Sequence, residues 1–84
     1  MLEIHYFASV RETMQRPVDE IPYSTDVATV ADLVSVLSEQ DATFKSLNES
    51  GNPLLVAVNQ TVVDKTYQLS SGDEVAFFPP MTGG

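Results

Sequence analysis

At 84 residues with 43% hydrophobic side chains, the chain has room for one domain burying roughly 60% of its unfolded surface, and it is too apolar for a disordered acidic tail. It contains no cysteine, which excludes disulfide staples, thiolate metal sites and a cysteine nucleophile. Twelve Asp and Glu against four Lys and Arg, a net charge of -8, exclude the basic footprint that a nucleic acid or an anionic membrane requires, and they argue against unaided capture of a phosphorylated small molecule.

The chain opens on Met1-Leu2-Glu3-Ile4-His5, with no basic region followed by an apolar run, so no secretion signal is visible. Leu2, Ile4 and Tyr6 alternate with Glu3, His5 and Phe7, the pattern of a strand with one face buried. Ala8 to Met14 breaks the alternation and reads as a short helical turn. Val18 to Tyr23 reads as a second strand, hairpin-like after the first, with Pro22 marking an edge or a strand end. Val30, Leu33, Val34 and Leu37 then form one apolar stripe at helical spacing. Thr29 just before it, with Asp32 three residues on, makes a capping-box-like start, and Glu39-Gln40-Asp41 ends the helix. Phe44 and Leu47 suggest one more helical turn before a loop at Asn48 to Pro53. Leu54 to Asn59 is apolar on both faces and reads as a central strand. Asn59-Gln60 is a turn, Thr61 to Val63 a short return strand, Leu69 to Asp73 another turn, and Glu74 to Phe78 the last strand, stopped by Pro79-Pro80. No apolar stretch approaches the roughly 18 residues of a membrane span, so a soluble, cytoplasmic protein is expected.

One amphipathic helix must cover one face of a mixed sheet, an α+β arrangement in two layers. First and last strands can then lie side by side in parallel. The order and size resemble the ubiquitin-like β-grasp fold, with residues 1–80 as the domain and 81–84 as a flexible tail.

Catalytic constellations are hard to build from this composition. His5 is the only imidazole, it accompanies no nucleophile elbow, and it reads as an exposed residue on the outer face of the first strand. Glu3 shares that face, but two ligands are too few for a metal site, and none is expected. No phosphate-binding glycine loop is present. The acidic residues are spread along the chain, as on a solvated surface.

The informative stretch is the end. Pro79 and Pro80 stiffen the exit from the last strand and remove two backbone donors, so the chain cannot continue the sheet. From Pro79 to Gly84 it reaches about 20 Å at roughly 3.3 Å per residue. Gly83 and Gly84 have no side chains and can thread a narrow channel, and a terminal glycine carboxylate is an unhindered acyl group. Frayed terminal glycines have the same sequence, so the pair gains meaning from the strand order before it. If Val75 and Phe77 face the core, Phe78 faces outward, as does Phe7. In neighbouring strands these two aromatics form one exposed patch beside the tail, which marks an interface unless one of them closes the core rim.

Gly72-Asp73-Glu74-Val75-Ala76-Phe77-Phe78-Pro79-Pro80-Met81-Thr82-Gly83-Gly84 resembles the C-terminal signature of the molybdopterin synthase small subunits. Tyr6 to Glu12 is similar to that family's first strand and turn, and Val56 to Gln60 to its central strand; Thr13 to Asp26 is not distinctive. Met81 departs mildly from the family's small or branched apolar residue. The resemblance implies a sulfur carrier that binds no cofactor of its own. An adenylating enzyme similar to ubiquitin-activating enzymes consumes ATP to form an acyl-adenylate on Gly84. A sulfur donor protein converts it to a thiocarboxylate, and the tail delivers sulfur to cyclic pyranopterin monophosphate inside the large subunit of a heterotetramer. Phe7, Phe78, Pro79, Pro80, Met81 and Thr82 would then contact the partner, with Arg11 at the rim. A carrier for thiamine or amino-acid synthesis, and a ubiquitin-like protein modifier, are the alternatives.

Overall fold

The computed structural model describes residues 1–49 and 54–80. Its elements run β1 (Leu2–Tyr6), α1 (Ala8–Met14), β2 (Val18–Ile21), a 3-10 turn (Thr25–Val27), α2 (Val30–Gln40), α3 (Ala42–Asn48), β3 (Leu55–Val58), β4 (Thr61–Val63) and β5 (Glu74–Phe78). The strands form one mixed sheet in the order β2-β1-β5-β3-β4, with β1 and β5 parallel and the other pairs antiparallel. The expected β-grasp architecture is therefore present. Three α-helices rather than one lie among the described residues, α2 being the longest.

The alternation in β1 divides its residues as expected: Leu2, Ile4 and Tyr6 are buried, together with Val75 and Phe77 of β5 and Val56 and Val58 of β3. The stripe Val30, Leu33, Val34 and Leu37 of α2 is buried in the same core, joined by Val10, Met14 and Phe44. The Phe44 and Phe77 rings meet edge to face, with centroids 5.2 Å apart and planes at 73°, the geometry that the ring quadrupoles favour.

The start of α2 is satisfied donor by donor. Asp32 N donates to Thr29 Oγ1 at 3.2 Å, and Thr29 N donates back to Asp32 Oδ2 at 3.1 Å, completing the capping box. The next two free amides, of Val30 and Ala31, donate to the carbonyls of Tyr67 and Lys65. Leu69 N donates to Ala28 O, and the Leu69 side chain is buried. Leu69 is thus a core residue, not simply the start of a turn: its segment is held by the helix entrance, a long-range pairing that local turn chemistry does not report. The turn itself follows, with Gly72 at φ +90°.

The suggested turns around Ala8 and Phe44 are full seven-residue helices. Asp41 makes the second possible. Its amide donates to Leu37 O, closing α2, while its Oδ1 accepts from Thr43 N and Phe44 N, opening α3. β2 is an edge strand and ends at Ile21, before Pro22, and the Asn59-Gln60 turn has positive φ at both residues, as a tight hairpin requires. Of the loop expected at Asn48 to Pro53, Asn48 is instead the last residue of α3 and Glu49 its cap, because Glu49 N still donates to Lys45 O; residues 50–53 and the tail at 81–84 lie outside the described residues.

Candidate functional site

Parallel pairing aligns the ends of β1 and β5. Tyr6 is in register with Phe77, and Phe7 N donates to Phe77 O at 3.1 Å, so Phe7 and Phe78 leave the sheet at the same end and on its open face. Phe7 also caps α1 with an extended backbone, and its side chain remains 46% exposed. Phe78 is half-buried, and its antiparallel partner on β3 is Leu55. Arg11 stands one turn into α1, exposed, with its amide donating to Phe7 O at 3.3 Å. Pro79 and Pro80 follow directly, half-buried. Phe7, Phe78, Arg11, Pro79 and Pro80 are therefore gathered at one end of β1 and β5, while Met81, Thr82, Gly83 and Gly84 lie outside the described residues.

The open face continues beyond the aromatics. Val18, His5, Ala76, Ala57 and Val62 lie in register across all five strands, an apolar row interrupted by one imidazole. Leu55, Ala57 and Val62 were not singled out from the sequence. The signal was present in the two-sided apolarity of β3: a strand whose second face is not under the helices carries its apolar residues to the open side. At the far end of the face, Glu20, Glu3 and Glu74 share one register across β2, β1 and β5. His5 is not simply exposed. Its side chain is 23% accessible, and Nε2 lies 3.1 Å from Glu3 Oε1 and 3.4 Å from Glu74 Oε1.

A second polar cluster sits on the helical side. Tyr6 Oη donates to Asp19 Oδ2 at 2.9 Å, and Arg16 donates through Nε to the same oxygen and through Nη2 to Asp41 Oδ2, both at 2.7 Å. The Arg16 guanidinium also lies 5.8 Å from the Tyr6 ring centre. Burial, reinforced by the Asp19 carboxylate, pushes the Tyr6 phenol above the ordinary tyrosine range, and hydrogen bonds to Asp41 and Asp19 push Arg16 up further. The hydrogen bond from Arg16, with backbone amides of Thr43 and Phe44, holds the Asp41 carboxyl below the usual carboxylate range. These groups tie β1, β2 and the α2–α3 junction together, and every bond in the set is internal.

Among the described residues, no group of three or more His, Cys, Asp or Glu is arranged to hold a metal ion, and no helix is long and apolar enough to cross a membrane. The geometry offers an apolar, partly aromatic face that adjoins a proline-stiffened exit.

Comparison with known proteins agrees with this organisation. The molybdopterin synthase sulfur carrier subunit of Escherichia coli (strain K12) is 42% identical over 84 residues, covering 100% of both chains. The crystal structure of SAMP1 (small archaeal modifier protein 1) from Haloferax volcanii superposes with a TM-score of 0.80 at 26% identity, covering 99% of this chain and 98% of that one. In fold alone, the chain is also similar to one in a complex of subunits 1 and 2 of molybdopterin-converting factor from Helicobacter pylori 26695, with a TM-score of 0.69 at 20% identity and coverage of 99% and 97%. The ThiS family profile matches residues 4–84. With nearly its whole length matched in sequence, and its fold shared with solved relatives, the chain belongs to the ThiS family.

Proposed function

We propose that this protein is the sulfur-carrying small subunit of molybdopterin synthase, a sulfur donor rather than a catalyst in its own right. The observation that carries the reading is the full-length identity with the Escherichia coli sulfur carrier subunit. The absence of cysteine agrees with it, because a thiocarboxylate stores sulfur on the backbone. In this reading the Gly84 carboxylate attacks the α-phosphate of ATP on an adenylating partner and expels pyrophosphate. A sulfur nucleophile supplied by a donor protein then displaces AMP, leaving a C-terminal thiocarboxylate. That sulfur attacks cyclic pyranopterin monophosphate in the large subunit, and hydrolysis returns the Gly84 carboxylate.

The surface fits a division of labour. A chain of net charge -8 is a poor host for an anionic pterin phosphate, so the pocket belongs to a cationic partner, which the acidic carrier complements. The Helicobacter pylori complex of subunits 1 and 2 supports a large-subunit partner. Phe7, Phe78 and Leu55 supply an apolar anchor at the root of the tail, with Arg11 at its rim, and Met81 to Gly84 thread the partner's channel. The likeness to a small archaeal modifier protein favours the second reading, a ubiquitin-like modifier.

Intact-mass measurement after incubation with ATP, the adenylating partner and a sulfur source tests both. A shift equal to one oxygen-to-sulfur exchange at the C-terminus, abolished by deleting Gly84, is expected. Isopeptide conjugates between Gly84 and target lysines, without that shift, would favour the modifier.

A further inference from the structure

We infer that His5 is a positioning residue of the docking face, which holds the Phe7 ring in place for the partner. The inference rests on the reading that Phe7 anchors the large subunit. Its basis is the surroundings of one ring. The His5 and Phe7 rings lie with centroids 6.3 Å apart and planes 13° from parallel, so the imidazole stacks beside the exposed aromatic. On the other side, Nε2 reaches Glu3 Oε1 at 3.1 Å on its own strand and Glu74 Oε1 at 3.4 Å on β5. Glu3 and Glu74 are direct cross-strand neighbours, and Glu20 of β2 stands opposite Glu3. Val18 and Ala76, the register partners of His5 itself, are apolar. The charged groups facing the imidazole from β1 and β5 are thus both carboxylates, with the β2 carboxylate next in the row.

Held toward the two carboxylates through Nε2, the imidazole is confined between them and Phe7, so the exposed aromatic keeps one orientation for a partner.

The test is calorimetry of the full-length protein with the large subunit for wild type, His5→Gln, His5→Phe and Phe7→Ala. His5→Gln is expected to bind about three- to ten-fold more weakly through loss of the ring contact, whereas His5→Phe keeps an aromatic neighbour for Phe7 and should bind within about two-fold of wild type. An equal loss in both His5 variants overturns the inference, because the imidazole itself, rather than a ring beside Phe7, would then be what the partner reads. If Phe7→Ala binds like wild type, the docking reading itself fails. If Phe7→Ala is weakened while His5→Gln is indistinguishable from wild type, only the role of His5 fails.

Discussion

Phe7 and Phe77 are joined by a backbone hydrogen bond yet face opposite sides of the sheet, and replacing each with alanine separates docking from folding. A phenylalanine side chain offers about 200 Å² for burial. With Phe7 46% exposed, about 90 Å² of it remains for a partner to cover. At about 25 cal/mol per Å², Phe7→Ala should weaken binding to the large subunit by about 2 kcal/mol, roughly thirty-fold in Kd. Its effect on folding should be small, since no core contact is emptied. Phe77 is 1% exposed and packs edge to face on Phe44, so Phe77→Ala should cost about 3–5 kcal/mol of stability. That is a large part of the roughly 4–13 kcal/mol typical of a domain of this length. Urea unfolding measures the second quantity and titration calorimetry the first. A Phe7→Ala protein that lost stability as Phe77→Ala does, while binding the large subunit normally, would refute this division of faces.

Four further outcomes are expected. Deleting Gly84, or extending the chain beyond it, should abolish thiocarboxylate formation with an unchanged unfolding midpoint; a truncated protein that still supported molybdopterin synthesis would overturn the sulfur-carrier reading. Asp41→Asn keeps a capping side chain but loses the charge pair with Arg16. Because the Asp41 carboxyl is depressed in the folded state, its contribution is present above the ordinary aspartate value near 4 and is lost as pH falls through the folded value, so the variant should flatten the acid limb of a stability-versus-pH curve. Tyr6→Phe should cost about 1–2 kcal/mol in denaturant unfolding by removing the bond to Asp19. It should also remove an alkaline loss of stability, because the raised Tyr6 phenol favours folding below the ordinary value of about 10 and that contribution is lost as pH rises through the folded value. Gln15 ends α1 at φ 62°, a left-handed conformation that glycine adopts freely, so Gln15→Gly should raise stability by about 1 kcal/mol in the same assay.

Much of the local architecture was legible because its causes are local. The alternation of Leu2, Ile4 and Tyr6, the stripe from Val30 to Leu37 and the Thr29–Asp32 cap each specify an element and its buried face within a few residues. The α1 and α3 helices outrun their local signal: their seven residues are stabilised by packing Val10, Met14 and Phe44 into the core, and α3 also by the two roles of Asp41, rather than by a long periodic pattern. Leu69 looked like part of a turn because its partner, Ala28, lies far away in the chain. Of the candidate site, Phe7 and Phe78 were visible as outward positions, whereas Leu55, Val62 and the surroundings of His5 were not.

Composition already determined part of what chemistry this chain can offer, with no thiol and a single imidazole, and the Pro79-Pro80 pair marked where its last strand stops. Tertiary structure decided what stands beside the end of that strand. Alternation states which face a residue takes but not which strand is its neighbour, because pairing is set by the whole sheet at once. Only the parallel seating of β5 against β1 brings Phe7 to Phe77 and Phe78, and sets Glu74 across from Glu3 within reach of His5.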